Sequence, residues 1–149
     1  MTSPEQAGKR RVSLASAGVA LVGLLLLAYG ITGLVFTSAD FATDAFDGTV
    51  DGDIWLGIEG NGWTNLLFLA AGAILIVASR AGRAAKPIAA LVALALGAAA
   101  VIAVFDGDDV LGVFAANGWT MLAWAAAAVV LLALAAPRRA ARGQRERPR

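Results

Sequence analysis

The chain is 149 residues long, 59% hydrophobic and 15% charged, with a formal net charge of +1 and a mean hydropathy of +0.74. This composition excludes an ordinary soluble domain and indicates a membrane protein. The lack of cysteine excludes disulfides, thiolate metal sites and covalent haem attachment. The lack of histidine excludes histidine-ligated haem, histidine zinc sites and histidine proton relays, so no cofactor is expected.

Four windows of the sequence carry no charged side chain, namely residues 12–39, 60–79, 87–105 and 110–137. Each is long enough to cross a hydrocarbon core of ~30 Å, which takes about 20 helical residues. The predicted fold class is therefore all-α, a polytopic bundle of four transmembrane helices. The membrane domain is predicted over residues 12–136, with helices at about 13–36, 62–79, 87–105 and 118–136. The remaining segments are the outer loops 37–61 and 106–117, the inner loop 80–86, and the tails 1–11 and 137–149.

A basic cluster, Lys9 to Arg11, directly precedes the first window and is typical of a signal peptide. A cleaved signal has an apolar region of only 7–15 residues, whereas this apolar run extends to Phe36. An uncleaved signal-anchor helix is therefore expected, and cleavage near Ala39 is the alternative. The helix contains four glycines, which let helices approach closely in lipid and favour packing within the bundle over a dimer face.

The first outer loop is acidic, and Asp40, Asp44 and Asp47 are spaced as on one face of a helix. With Ser38 as N-cap, this pattern predicts a short helix over residues 39–47 that lies on the membrane surface. Asp51 followed by glycine predicts a turn.

Part of this loop also matches the opening of an EF-hand, with Asp47 at the first position and Asp51 at the fifth. The twelfth position is Ile58, where an EF-hand needs a bidentate glutamate. Asp47, Asp51 and Asp53 are thus weak candidates for a divalent cation, and an ordinary solvated acidic loop is the favoured interpretation. Asp106, Asp108 and Asp109 would contribute to such a site if the two outer loops meet.

A four-residue motif, Asn-Gly-Trp-Thr, starts the second helix at residues 61–64 and recurs 56 positions later at residues 117–120. Upstream, Leu-Gly-Ile at 56–58 matches Leu-Gly-Val at 111–113, and Phe-Asp-Gly at 46–48 matches the same triplet at 105–107. A repeat of this kind predicts that one helical hairpin is used twice.

The motif has a simple structural interpretation. Asn61 and Asn117 are suited to N-cap the two helices, and Trp63 and Trp119 are suited to anchor them at headgroup depth. The alternative is an anion site at the paired helix starts, which the many nearby carboxylates disfavour. Asn65, about one turn inside the second helix, is expected to make an interhelical polar contact.

All 12 Lys and Arg residues fall in the two tails or the inner loop, and nine of the 11 acidic residues fall in the outer loops. The positive-inside rule then predicts a multi-pass protein of the plasma membrane with both termini in the cytoplasm. Because both hairpins have the same orientation, a pseudo-twofold axis along the membrane normal is expected.

The pattern Asn61-x3-Asn65-Leu66-x2-Leu69-x2-Gly72, preceded by Leu-Gly-Ile, resembles a family of small four-helix bacterial membrane proteins of unknown function (DUF4383), common in actinobacteria. The resemblance covers roughly residues 14–136 and implies the same four-helix layout. The family usually has histidines at the positions of Thr64 and Phe68, so a metal or proton role at those positions does not carry over.

These features favour a non-enzymatic structural or accessory membrane component, because no nucleophile, base and oxyanion donor can be assembled. The alternative is a small oligomeric channel or facilitator with a cation-attracting acidic outer mouth. The expected partners are the lipid bilayer and either another membrane protein or further copies of the chain. Nucleic acid is not expected, since the arginine-rich tail lacks groove-reading elements.

Overall fold

A computed structural model describes residues 13–37, 39–46, 48–107 and 109–137. Within these ranges the chain forms four α-helices and two short β-hairpins. The helices are α1 (Leu14–Phe36), α2 (Gly62–Ser79), α3 (Ala85–Asp106) and α4 (Gly118–Ala135). The strands are β1 (Asp53–Trp55), β2 (Ile58–Gly60), β3 (Asp109–Val110) and β4 (Phe114–Ala115).

All four helices are long and apolar enough to cross a membrane. Large apolar side chains on their outer faces are exposed, for example Leu25 on α1, Leu91 on α3 and Val129 on α4. In water such a surface would be a severe liability, but lipid solvates it. The predicted fold class, a four-helix membrane bundle, is confirmed.

The helix ends follow local chemistry. Ser13 caps α1 by accepting a hydrogen bond from the Ser16 amide, and Gly107 ends α3 with a left-handed φ of 83°. A short 3-10 turn at Gly82–Ala84 leads directly into α3, which begins at Ala85, two residues before the approximate start expected from the sequence. Pro87 therefore lies in the first turn of α3, where the N–H group that it lacks would have no helical partner.

The chain pairs its helices as α1 with α2 and α3 with α4, and the two pairs meet around a common apolar core. Phe68, Leu75, Leu96, Trp124 and Leu131 are fully or almost fully buried there. Four of these residues form two pairs whose members are 56 positions apart, like the two motifs: Phe68 with Trp124, and Leu75 with Leu131. The repeat is thus present in the core as well as at the helix starts.

The two β-hairpins were not predicted. In each, the turn places a leucine and a glycine at positive φ: Leu56 at 52° and Gly57 at 86°, Leu111 at 61° and Gly112 at 63°. In each hairpin the turn connects two antiparallel strands of two or three residues.

The predicted surface helix over residues 39–47 is wrong, because residues 39–45 have no helical structure. Here the amides make other bonds: Ala42 donates to the Asp40 carboxylate and Asp44 to the Gly112 carbonyl. The turn predicted after Asp51 is wrong too, since residues 51–52 form no turn, β1 begins at Asp53 and the turn comes at Leu56.

The Phe-Asp-Gly match is not a structural correspondence. Phe105 and Asp106 end α3, whereas Phe46 lies in the long loop that follows α1, and Asp47 lies outside the described residues. The connection from α1 to its hairpin spans residues 37–52, while the connection from α3 spans only 107–108. The repeats therefore differ by one long loop, which only the first repeat carries.

Candidate functional site

The two motifs lie side by side at the end of the bundle that carries the hairpins. Asn61 is the N-cap of α2, and its Oδ1 accepts the Thr64 amide at 3.0 Å. Asn117 is the N-cap of α4, and its Oδ1 accepts the amides of Trp119 and Thr120, each at 3.0 Å. Each asparagine oxygen therefore satisfies helix amides that would otherwise have no partner.

The other half of each asparagine side chain reaches across to the opposite repeat. Asn61 Nδ2 donates to the Val113 carbonyl oxygen at 2.7 Å, and Asn117 Nδ2 donates to the Gly57 carbonyl oxygen at 3.1 Å. Both acceptors belong to the turn of the other repeat's hairpin. One residue thus caps its own helix and holds the neighbouring hairpin.

The two threonines of the motifs repeat this exchange. Thr64 Oγ1 donates to the Ala115 carbonyl oxygen at 2.8 Å, and Thr120 Oγ1 donates to the Glu59 carbonyl oxygen at 2.6 Å. Both threonines are completely buried. We call the four cross-repeat bonds made by Asn61, Thr64, Asn117 and Thr120 the reciprocal clasp.

The first hairpin receives one more hydrogen bond from α1, because Tyr29 Oη donates to the Trp55 carbonyl oxygen at 3.0 Å. The Tyr29 ring packs edge-on against Phe68, with ring centroids 4.9 Å apart, and Trp55 stacks on Phe36 at the end of α1. A short hairpin near lipid needs such donors, because carbonyl groups without water or a protein partner cost several kcal/mol each in hydrocarbon.

The long loop of the first repeat covers the second hairpin. Asp44 donates its amide to the Gly112 carbonyl oxygen at 2.9 Å, and Val50 donates its amide to Asp109 Oδ2 at 3.2 Å. A side chain at Gly112 would collide with the Ala45 carbonyl oxygen. The glycine therefore permits both the turn and the close approach of the loop.

The two motif tryptophans have different surroundings. Trp63 is half-buried, donates its Nε1 proton to the Phe41 carbonyl oxygen at 3.0 Å and packs edge-on against the Phe41 ring. Trp119 is 64% exposed. Both lie in the first turn of their helices, a depth at which an amphipathic ring suits the headgroup region.

Asn65 is 1% exposed and makes its polar contact at the end of a neighbouring helix, where Nδ2 donates to Thr37 Oγ1 at 3.1 Å. Thr37 is the C-cap of α1. The space that Asn65 fills exists because residue 33 is a glycine, whose missing side chain would collide with Asn65 Oδ1. The corresponding position in the second repeat is Met121.

The acidic candidates for a cation site have separate roles in the part of the chain that the structure describes. Asp51 is exposed, Asp53 starts β1, and Asp47 lies outside the described residues. Asp109 is buried and accepts the Val50 amide, while Asp106 accepts the Leu111 amide at 2.9 Å. Among the described residues, no group of three or more acidic side chains is arranged to hold a metal ion.

Tyr29 and Trp124 were missed as contributors. Tyr29 had a signal, since a single polar ring in an apolar helix needs a partner for its hydroxyl. Trp124 is completely buried, and its ring nitrogen has no hydrogen-bond partner among the described residues. Its place 56 positions after Phe68 marks it as a core residue of the repeat.

One protein family, described as a domain of unknown function (DUF4383), matches residues 17–137. This range contains all four helices except the first turn of α1. No curated protein and no solved structure matches the chain.

Proposed function

The chain belongs to the DUF4383 family, and we propose that it is a non-enzymatic structural or accessory component of the plasma membrane. One observation carries the proposal. The polar side chains of both motifs bond to the chain's own backbone, across the repeats. Groups that hold the fold together in this way are not available to bind or convert a substrate.

The buried core below the clasp supports the same proposal. It is filled by Phe68, Leu75, Leu96, Trp124 and Leu131. Tyr29 is the only ionisable residue within the charge-free windows that form the helices, and its hydroxyl bonds to the first hairpin. Transporters that couple to ions or protons usually use an ionisable group at membrane depth.

We further propose that both termini face the cytoplasm, as the distribution of lysine and arginine favours. The test uses the natural lack of cysteine. Single cysteines are introduced as Ser38→Cys and Ser79→Cys and labelled in intact cells with a reagent that does not cross the membrane. Ser38→Cys is expected to react from outside, and Ser79→Cys only after the cells are opened. The reverse pattern would overturn this orientation.

The alternative function is an oligomeric channel whose acidic mouth concentrates cations, and the exposed carboxylates Asp40, Asp44 and Asp51 favour it. Flux of potassium and protons through proteoliposomes separates the two functions. If the protein has a structural role, the ion flux through proteoliposomes should equal that through protein-free liposomes. A flux that falls when all three aspartates are changed to asparagine would establish the channel and reject the structural role.

A further inference from the structure

At the end of the bundle opposite the clasp, a cavity of about 480 Å³ opens between the start of α1, the start of α3 and the end of α4. Its lining is divided into a polar rim and an apolar floor. The rim includes Ser13, Ser16, Arg83 and Lys86, and the floor includes Val19 and Leu134. We propose that this cavity binds an anionic phospholipid, with the phosphate at the rim and part of an acyl chain along the floor.

The depth of the cavity fits a lipid. The rim lies where α1 and α3 begin, which is where the apolar helices meet the headgroup region. Val19 lies five residues further along α1, about 8 Å towards the membrane centre at the rise of an α-helix. A ligand that fills the cavity must therefore be charged at one end and apolar at the other.

The charge of the rim selects an anion. Arg83 and Lys86 are exposed, and the sequence contains no acidic residue between Glu59 and Asp106. Arg83 makes no side-chain hydrogen bond or ion pair with any residue that the structure describes, so its guanidinium can pair with a phosphate. Basic pockets between membrane helices commonly bind anionic headgroups in this way.

The neighbouring side chains add hydroxyl groups. Ser13 and Ser16 lie with their oxygens 2.9 Å apart, so the rim presents hydroxyls beside the two cationic groups. Lys86 Nζ donates to the Ala136 carbonyl oxygen at 3.3 Å, which holds the ammonium group near the end of α4. The inference does not depend on which side faces the cytoplasm, because phospholipid headgroups occur on both.

The experiment uses the full chain in neutral detergent and measures retention of phosphatidylglycerol in competition with phosphatidylcholine by native mass spectrometry. Each charge near a membrane surface contributes roughly a fivefold change in affinity. Arg83→Gln and Lys86→Gln are therefore each expected to lower the affinity for the most tightly bound phosphatidylglycerol about fivefold. In the double variant this affinity is expected to fall about 30-fold.

Arg80→Gln is the matched control, because Arg80 lies in the same basic segment but does not line the cavity. It is expected to bind phosphatidylglycerol as the wild type does. Lys86→Gln also removes the bond to Ala136, so Arg83→Gln decides the outcome if the Lys86 variant fails to fold. Equal weakening by Arg80→Gln and Arg83→Gln, or no weakening by Arg83→Gln, would overturn the proposal.

Soluble anions provide the second arm. Phosphatidylglycerol should raise the thermal stability of the wild type, whereas inorganic phosphate and glycerol phosphate at the same concentration should leave it unchanged. If the soluble anions stabilise the protein as well as the lipid does, the site binds a free phosphate and the lipid assignment is wrong. A measured ion flux in proteoliposomes would reject the proposed structural role without affecting this result.

Discussion

The two repeats are alike at the end of the bundle that carries the hairpins and different along their helices. In both, an asparagine and a threonine at a helix start hold the other repeat's hairpin. Below this clasp, α1 and α2 approach so closely that Gly23 and Gly72 face each other's backbone. The α3–α4 pair instead leaves an apolar groove of about 640 Å³ on its outer face.

The difference between the pairs comes from a few substitutions at equivalent positions. Gly72 of the first repeat corresponds to Ala128 of the second, and the buried Asn65 corresponds to Met121. Small residues set how closely helices can approach in lipid. The repeat has therefore kept the polar contacts that join its two copies, while the packing within each copy has diverged.

The largest expected effect is on the closely packed pair. A methyl group at Gly72 would collide with the Leu27 backbone and lie 2.6 Å from the Gly23 carbonyl oxygen, and backbone cannot move aside cheaply. Gly72→Ala should lower the free energy of unfolding by about 3 kcal/mol.

Gly97→Ala is the matched change in α3, where the nearest atom to the new methyl group is Ala128 Cβ at 3.6 Å. It should be neutral or raise the free energy of unfolding by up to about 1 kcal/mol through helix propensity. Thermal unfolding in detergent measures both variants. Equal losses in the two would remove the distinction between the helix pairs.

The next largest effects on stability are expected at the N-caps of α2 and α4, and the two should differ in size. Asn61 is 2% exposed, whereas Asn117 is only partly buried. Asn61→Ala removes a cap and leaves the partly buried Val113 carbonyl without its donor, at a cost of about 2–3 kcal/mol. Asn117→Ala should cost about 1–2 kcal/mol, because water can replace part of what is lost. Greater destabilisation by Asn117→Ala, in the same unfolding assay, would contradict the assigned burial.

A smaller effect is expected at Asn65, whose contact with Thr37 the second repeat lacks. A double-mutant cycle of Asn65→Leu and Thr37→Val should give a coupling of about 0.5–1.7 kcal/mol, the range for interhelical hydrogen bonds in membranes. Coupling near zero would show that the 3.1 Å contact contributes no stability.

The smallest effect is expected from calcium. Asp109 already accepts the Val50 amide and Asp106 the Leu111 amide, and a bound Ca²⁺ needs six to eight oxygen ligands. Millimolar calcium should leave the thermal stability of the detergent-solubilised protein unchanged, with magnesium as the control. A rise specific to calcium would restore the cation site that Asp47, Asp51 and Asp53 suggested.

The helices could be predicted because their signals are local. Long charge-free windows define each span, and Asn61 and Asn117 mark two of the starts. The hairpins could not, since their strands are only two or three residues long. Their turns also place Leu56 and Leu111 at positive φ, where asparagine, aspartate or glycine is the usual signal.

The reciprocal clasp was beyond sequence reasoning for a different reason. An asparagine that caps its own helix is recognisable from the residues beside it. The acceptor of its amide group depends on which carbonyl the tertiary fold brings opposite, here Val113 for Asn61 and Gly57 for Asn117. Similarly, the spacing of Asp40 and Asp44 favoured a helix, but the Asp44 amide instead bonds to Gly112.

Hydrogen exchange in Thr120→Val tests the clasp most directly. Valine keeps the shape of threonine but removes the donor to the partly buried Glu59 carbonyl oxygen, at a cost of about 1–3 kcal/mol. Amide exchange, followed by mass spectrometry, should accelerate in the first repeat's hairpin at residues 53–60, and Thr64→Val should do the same at residues 109–115. Acceleration confined to the start of α4 in Thr120→Val would contradict the clasp.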